Sequence, residues 1–257
     1  MITLNIKNPF NAPVYYEKTV SSTMDVSRQF AAADEKHGTV ITADFQEAGR
    51  GRIFGRTWEM ESEMSLPFTI LLRYPRIEDI KPLLTLRAGL AVSLAVEDFA
   101  PSLKSKVMIK WPNDIMIGNK KAAGILCEAD GGNVHLGIGI NMSQKEFPVH
   151  LSEKAVSVSI ASGKDIAYNE RCSLLEKILA RLYNELETAA NNEALISGLE
   201  QRLYKKGEQV IFIDGAADTG KTVKGRLAGI GEGGELLVEP DGKTAVRSFI
   251  TGELKVF

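Results

Sequence analysis

Apolar positions recur along this chain with two spacings, about every second residue or about every third and fourth, and the switches between them mark out its elements. Ser22 and Thr23 stand before an acidic-then-apolar stretch, predicting a helix over 25–33 that Ser22 caps, with Val26, Phe30 and Ala33 on one face. Residues 38–43 are β-branched at most positions and predict a buried strand, as do 65–72. Between them, residues 46–58 are too glycine-rich for a helix and too charged for a buried strand, and predict a mobile loop. Pro82 opens a helix whose apolar face is Leu86, Leu90, Leu94 and residues 96–99. Strands follow at 106–111, 114–117, 122–128 and 134–140, with turns at Gly118-Asn119 and at 130–133. An amphipathic helix over 169–189 carries Leu174, Leu175, Ile178, Leu182 and Leu186, and a second helical piece spans 193–205.

The character then changes. From Glu208 onward the chain reads as short strands with glycine turns, at 210–213, 223–230, 235–238, 245–250 and 253–256. This predicts a small barrel-like β module and places a domain boundary at about residue 205, dividing 1–205 from 206–257.

Composition narrows the function classes. The chain is 44% hydrophobic and 25% charged, with 31 basic against 33 acidic side chains and a net charge of -2, so it carries no overall electrostatic footprint for DNA or an anionic membrane. Cys127 and Cys172 lie far apart in apolar runs and read as reduced thiols, and the three histidines, His37, His135 and His150, lack metal-ligand spacing. No apolar run approaches a membrane span, and the first residues lack a signal-peptide pattern, so a cytoplasmic protein is expected.

Four segments carry candidate chemistry. In the loop, Gly49, Gly51 and Gly55 let the backbone approach a ligand, and Arg50, Arg52 and Arg56 offer planar cationic forks to phosphate or carboxylate. A solvated basic loop or an RNA-binding arginine-glycine tract would look similar, although a strand before it and Trp58 after it favour a structured lid. In Lys110-Trp111-Pro112-Asn113-Asp114, proline holds Trp111 extended and puts Asn113 and Asp114 at a strand end, either as a commonplace turn or facing a pocket. Lys121 opens a strand of small residues that includes Gly124; it is either a solvated gatekeeper or a charge that holds a carboxylate as it attacks phosphorus. Gly137 and Gly139 bare one face of a strand that ends at Asn141, which suits either close ligand approach or a helix packed on the sheet. No Walker A loop is read, although Gly220-Lys221-Thr222 imitates its end, and no dinucleotide fingerprint appears.

In order and spacing these segments resemble the biotin protein ligase family. The matching pieces are Ser22-Thr23, Gln46 before Gly49-Arg50-Gly51-Arg52, residues 110–114, 121–126 and 137–141, and the closing Gly252-Glu253, over about residues 14–257. The resemblance implies an α+β fold: a mixed β-sheet flanked by helices, of the class II synthetase and biotin ligase kind, followed by a small SH3-like β-barrel. It implies that Ser22, Thr23, Met24, Gln46, Gly49, Arg50, Gly51, Arg52, Lys121 and Gly124 bind biotin. Arg52, Arg56, Trp58, Asn113, Asp114, Lys121 and Asn141 would bind ATP or the adenylate, and Lys121, Arg50 and Arg52 would be catalytic, with magnesium entering only with ATP.

The reaction so implied joins biotin to the α-phosphate of ATP and then passes it from biotinyl-AMP to a lysine of a biotin carboxyl carrier protein, such as that of acetyl-CoA carboxylase. Two departures from the family pattern stand out. Ile53 and Phe54 separate Arg52 from Gly55 where one residue is usual, and Met24 stands where asparagine or a similar polar residue is common. About twenty residues precede Ser22, too few for the helix-turn-helix module of the family's repressors, so no operator binding is expected. A sheet-edge homodimer is compatible with the fold. The rival readings are a lipoate or octanoyl ligase, a non-catalytic biotin sensor and an RNA-binding protein.

Overall fold

The apolar run at 65–73 forms a strand buried at eight of its nine positions, as a run without polar alternation requires when both sheet faces are covered. In the computed structural model, which describes residues 1–53, 55–188, 192–216, 219–243 and 245–255, this strand lies near the middle of an eight-stranded sheet. The strands are β1 (Ile2–Thr3), β2 (Val14–Val20), β3 (Thr39–Gln46), β4 (Ser65–Arg73), β5 (Val107–Lys110), β6 (Asp114–Ile117), β7 (Lys120–Asp130) and β8 (Asn133–Asn141), in the order β1-β2-β3-β4-β8-β7-β6-β5. All neighbours are antiparallel except β2 and β3. Strand β2, which the sequence pattern did not announce, lies toward the sheet edge and is half exposed, so it carries no clean apolar alternation.

Side chains alternate across the strands, and the two faces differ in kind. Leu66, Phe68, Ile70 and Leu72 of β4 join Leu136, Ile138 and Ile140 of β8 in one core with the helices α2 (Leu84–Phe99) and α5 (Glu170–Tyr183). The opposite face carries Thr69, His135, Gly137 and Gly139, and there α1 (Thr23–Ala32) packs. Ser22 does cap α1, accepting from Met24 N. The buried face of α1, however, is Thr23, Met24 and Ser27, not the expected Val26, Phe30 and Ala33. The sheet beneath offers polar partners: Ser27 Oγ lies 2.8 Å from His135 Nδ1, and His135 Nε2 lies 3.3 Å from Asp130 Oδ2. Burial holds the His135 pKa below its usual value, so the neutral ring donates from Nε2 and accepts from Ser27.

Helix α2 begins at Leu84, two residues after Pro82, with Leu83 in the left-handed region at φ 61°. Two short helices, α3 (Val149–Ser152) and α4 (Val158–Ser162), were not expected. Helix α5 passes into one wider turn at Asn184–Thr188 before α6 (Asn192–Arg202); Ala189, the expected helix end, lies outside the described residues.

The last part of the chain forms a separate antiparallel sheet of five strands: β9 (Gln209–Asp214), β10 (Lys221–Ile230), β11 (Leu236–Pro240), β12 (Arg247–Phe249) and β13 (Glu253–Leu254), in the order β12-β11-β10-β9-β13. The expected class, a mixed sheet with helices plus a small β unit, is the one observed; Val256, at the end of the last expected strand, lies outside the described residues. Gly215 does precede Gly220-Lys221-Thr222 at the Walker A spacing, contrary to the reading above, yet this segment joins β9 to β10. Lys221 and Thr222 open a strand, and the helix a phosphate-cradling loop requires is not there.

The two sheets meet at Trp111, which is 4% exposed. Its Nε1 donates to Gly234 O at 2.9 Å, and its ring lies 6.0 Å from that of Phe212 in the small sheet. The Trp111-Pro112 bond is cis. Among the described residues no helix is long and apolar enough to cross a membrane. Trp111→Phe leaves Gly234 O without its buried donor, so a loss of about 1–3 kcal/mol is expected in urea unfolding; an unchanged midpoint would show that the junction does not contribute.

Candidate functional site

On the α1 face of the main sheet, just beyond the start of α1, lies a small open cleft. Its floor is backbone. Gly124 of β7 is the register partner of Gly139 of β8, so the two strands share one pair without side chains, while Gly137, opposite Leu126, bares β8 alone. A Cβ on Gly139 would stand 2.7 Å from the Trp58 ring, one on Gly124 3.0 Å from it, and one on Gly137 2.8 Å from Met24 Sδ. The indole of Trp58 and the thioether of Met24 therefore rest directly on the sheet, and a side chain at Gly139 would displace the indole.

The inner end of the cleft is polar. Gln46 Oε1 accepts from Thr23 N at 2.9 Å and from Thr23 Oγ1 at 3.0 Å, and Thr69 Oγ1 donates to Thr23 Oγ1 at 2.8 Å. Ser22 and Met24 complete this end.

The arginine-glycine loop folds back on itself as a roof. Trp58 N donates to Gly49 O at 2.9 Å and Gly51 N to Arg56 O at 2.8 Å, and Arg50 bridges to Thr57. Each arginine has a different anchor. Arg50 pairs with Asp25 of α1 at 2.7 Å, Arg52 Nη2 donates to Gly252 O at 2.9 Å, and Arg56 holds Glu253 through two bonds of 2.8 and 2.9 Å. The loop is thus tied to the C-terminal sheet, and Gly252, at φ 138°, occupies a position where a Cβ would strike the Phe212 ring. Burial raises the Glu253 pKa, but the hydrogen bonds and charge of Arg56 outweigh it and hold the carboxyl below its usual range. Phe54, one of the two residues that lengthen the loop, lies outside the described residues.

Lys121 stands at the outer end, its Nζ 2.6 Å from Asp114 Oδ1 and 5.4 Å from the centre of the Trp58 ring. Lys110 approaches the other oxygen of Asp114 at 3.8 Å, and its burial pushes the ammonium pKa down against the pull of Asp114 and Glu253. Asn113 is locked to Ile125 by Nδ2 to O at 2.8 Å and Ile125 N to Asn113 O at 2.9 Å, which turns it to the cleft.

The cleft brings together Ser22, Thr23, Met24, Gln46, Arg50, Gly51, Arg52, Trp58, Asn113, Lys121 and Gly124. Gly49 lies at the base of the roof, where a Cβ would meet Trp58 O at 2.9 Å, and Asp114 and Arg56 join through their ion pairs. Asn141 does not line it; its buried amide donates to Lys121 O at 3.4 Å and Val156 O at 3.3 Å, behind the lysine. Thr69 and Asp25 were missed in the sequence. A threonine on the α1-facing side of an otherwise apolar strand was the available signal for Thr69; nothing local distinguishes Asp25.

A cleft with a polar end, a glycine floor on which an indole lies flat and a cationic mouth suits a small ring compound carrying an anionic group. Comparison with known proteins agrees with that shape. Residues 16–144 match the biotin/lipoate A/B protein ligase family. A biotin–[acetyl-CoA-carboxylase] ligase of Paracoccus denitrificans is 30% identical over 215 residues, 80% of this chain and 86% of that protein. The bifunctional ligase/repressor BirA of Bacillus spizizenii is 36% identical over 171 residues, 64% of this chain but 50% of that protein, so the chain matches about half of that relative's length. Among solved structures, the biotin protein ligase from Aquifex aeolicus in complex with biotin and ATP superposes with a TM-score of 0.78 at 27% identity, covering 94% of this chain and 97% of that one.

Gly139→Val should lift Trp58 off the sheet and loosen the roof. Trypsin should then cut after Arg50 or Arg52 several-fold faster while the far-ultraviolet circular dichroism stays unchanged; wild-type cleavage in the folded variant would contradict the seating of the indole on the floor.

Proposed function

The chain belongs to the biotin/lipoate A/B protein ligase family, and from that premise we propose that it activates biotin with Mg-ATP and transfers it to a lysine of a biotin carboxyl carrier protein, such as that of acetyl-CoA carboxylase. The observation that carries this reading is the layout of one cleft. Ser22, Thr23 and Gln46 offer hydrogen bonds at its inner end, and Lys121 stands with the loop arginines at its mouth. A cyclic urea fits the inner end better than the apolar disulfide ring of lipoate, whose burial would leave those polar groups without partners. A sensor that only binds biotin has no need of Lys121 beside Asp114.

In the first step a biotin carboxylate oxygen forms a bond to the α-phosphorus and the bond to the bridging oxygen breaks, releasing pyrophosphate. Two anions meet, so the Lys121 ammonium, freed from Asp114, and the guanidinium groups of Arg50 and Arg52 offset their repulsion and stabilise the charge that develops. Magnesium belongs to the Mg-ATP substrate and further screens the phosphates. Asn113 at the cleft and Trp58 against the floor would hold the nucleotide base, with Arg56 keeping the roof closed. In the second step the neutral amine of the carrier lysine attacks the carboxyl carbon of the mixed anhydride and AMP leaves; no covalent enzyme intermediate forms. The roof excludes water that would otherwise hydrolyse the anhydride. Residues 1–205 would form the catalytic unit and 206–257 the small β unit that anchors the roof.

The test is pyrophosphate release in the presence of biotin or of lipoate, with and without a purified biotin carrier domain. Release with biotin and label on the carrier lysine is expected; release with lipoate alone would move the activity to the sister substrate. Lys121→Met should lower biotin-dependent release by about 100- to 1,000-fold while the protein stays folded, and wild-type rates in that variant would refute the role of the lysine.

A further inference from the structure

One buried polar group outside the reaction scheme, Thr69 of β4, lies behind the inner end of the cleft, where it touches Thr23 of α1, and Thr23 in turn touches Gln46 of β3. Thr69 is 0% exposed and Thr23 3%, so the bond between them is closed to solvent, while Gln46 is half-buried at the cleft. The proton order along these bonds can be derived. Thr23 N–H can only donate, so the Gln46 atom 2.9 Å from it must be the amide oxygen. Thr23 Oγ1, 3.0 Å from the same oxygen, must then donate its one proton there. The remaining close contact, 2.8 Å to Thr69, is one in which Thr69 donates and Thr23 accepts. Every step follows from a backbone N–H whose direction cannot reverse.

Two consequences follow for the cleft. The Gln46 amide is fixed with its NH₂ group free, so it presents donors. Ser22 Oγ accepts from Met24 N at 3.2 Å, which leaves the Ser22 proton for a ligand. The inner wall therefore offers two donors, from Ser22 and Gln46, to one acceptor, and a spare lone pair on Thr23 to one donor. The Thr23 side chain has more than one staggered χ1 rotamer to choose from. Thr69 supplies the buried contact that selects the rotamer aimed at Gln46.

We propose that Thr69 is a positioning residue: it locks the Thr23 rotamer, and through Thr23 the Gln46 amide, so that the wall is set to receive a cyclic urea before the ligand arrives. This rests on the ligase reading above. Thr69 touches neither the ligand nor the reacting atoms, so its effect falls on binding of the ring and not on chemistry at Lys121.

The test compares the wild type with Thr69→Val, which keeps the shape and removes the hydroxyl, and Thr69→Ser, which keeps the hydroxyl. Biotin Kd by calorimetry, KM for biotin and for ATP, kcat of pyrophosphate release and Tm are measured for each. Thr69→Val should raise the Kd and KM for biotin roughly tenfold, the share of one buried hydrogen bond, with kcat and the KM for ATP within about twofold of wild type. Thr69→Ser should restore biotin binding. A Thr69→Val protein that binds biotin like the wild type, one whose KM for ATP rises in step, or a Thr69→Ser protein that fails to recover would each overturn the proposal. The controls keep the two readings apart. A wild type that binds biotin but releases no pyrophosphate defeats the ligase reading alone, and the calorimetry still decides on Thr69; a wild type that binds no biotin defeats both.

Discussion

Where Gly124 of β7 faces Gly139 of β8, two neighbouring strands leave the same side of the sheet uncovered, and the Trp58 ring comes so close that one added methyl on either would crowd it. The site depends on this bare backbone. It creates the floor of the cleft, seats the residue that ends the arginine loop and sets the height of the roof. Beside the glycines α1 packs through Thr23, Met24 and Ser27. The opposite face of the same strands is densely packed by α2 and α5, so the floor is held from behind while Trp58 and Met24 rest on its upper side.

Charge is arranged to match. Lys110 and Lys121 converge on Asp114 and Arg56 on Glu253, so each of these cations faces a carboxylate. Because Glu253 belongs to β13 and Gly252 immediately precedes it, the C-terminal sheet takes part in holding the roof. The junction at Trp111 fixes its position relative to the main sheet.

Much of this was legible in the sequence because it is local. The glycines at 124, 137 and 139, the arginines at 50, 52 and 56, and the strand ends at Asn113 and Lys121 are punctuation that a single segment reveals, and their order carried the family resemblance. What escaped depends on distant partners. Strand β2 is a strand because β3 pairs with it, not because of its own alternation. The buried face of α1 is polar because His135 and Thr69, more than forty positions away, supply hydrogen bonds. Asn141 looked like a ligand group, and its amide instead braces the backbone of Lys121 and Val156. No local rule finds the Arg52 and Arg56 anchors, some two hundred residues downstream.

The central claim is that the cleft makes a mixed anhydride and shelters it under the roof. The protein would be incubated with biotin and Mg-ATP in the absence of any acceptor, passed rapidly through a desalting column, and the protein fraction denatured and analysed by mass spectrometry. The account predicts close to one equivalent of biotinyl-AMP retained per chain. Recovery of biotin and ATP unchanged, or of free AMP with nothing retained, would contradict it.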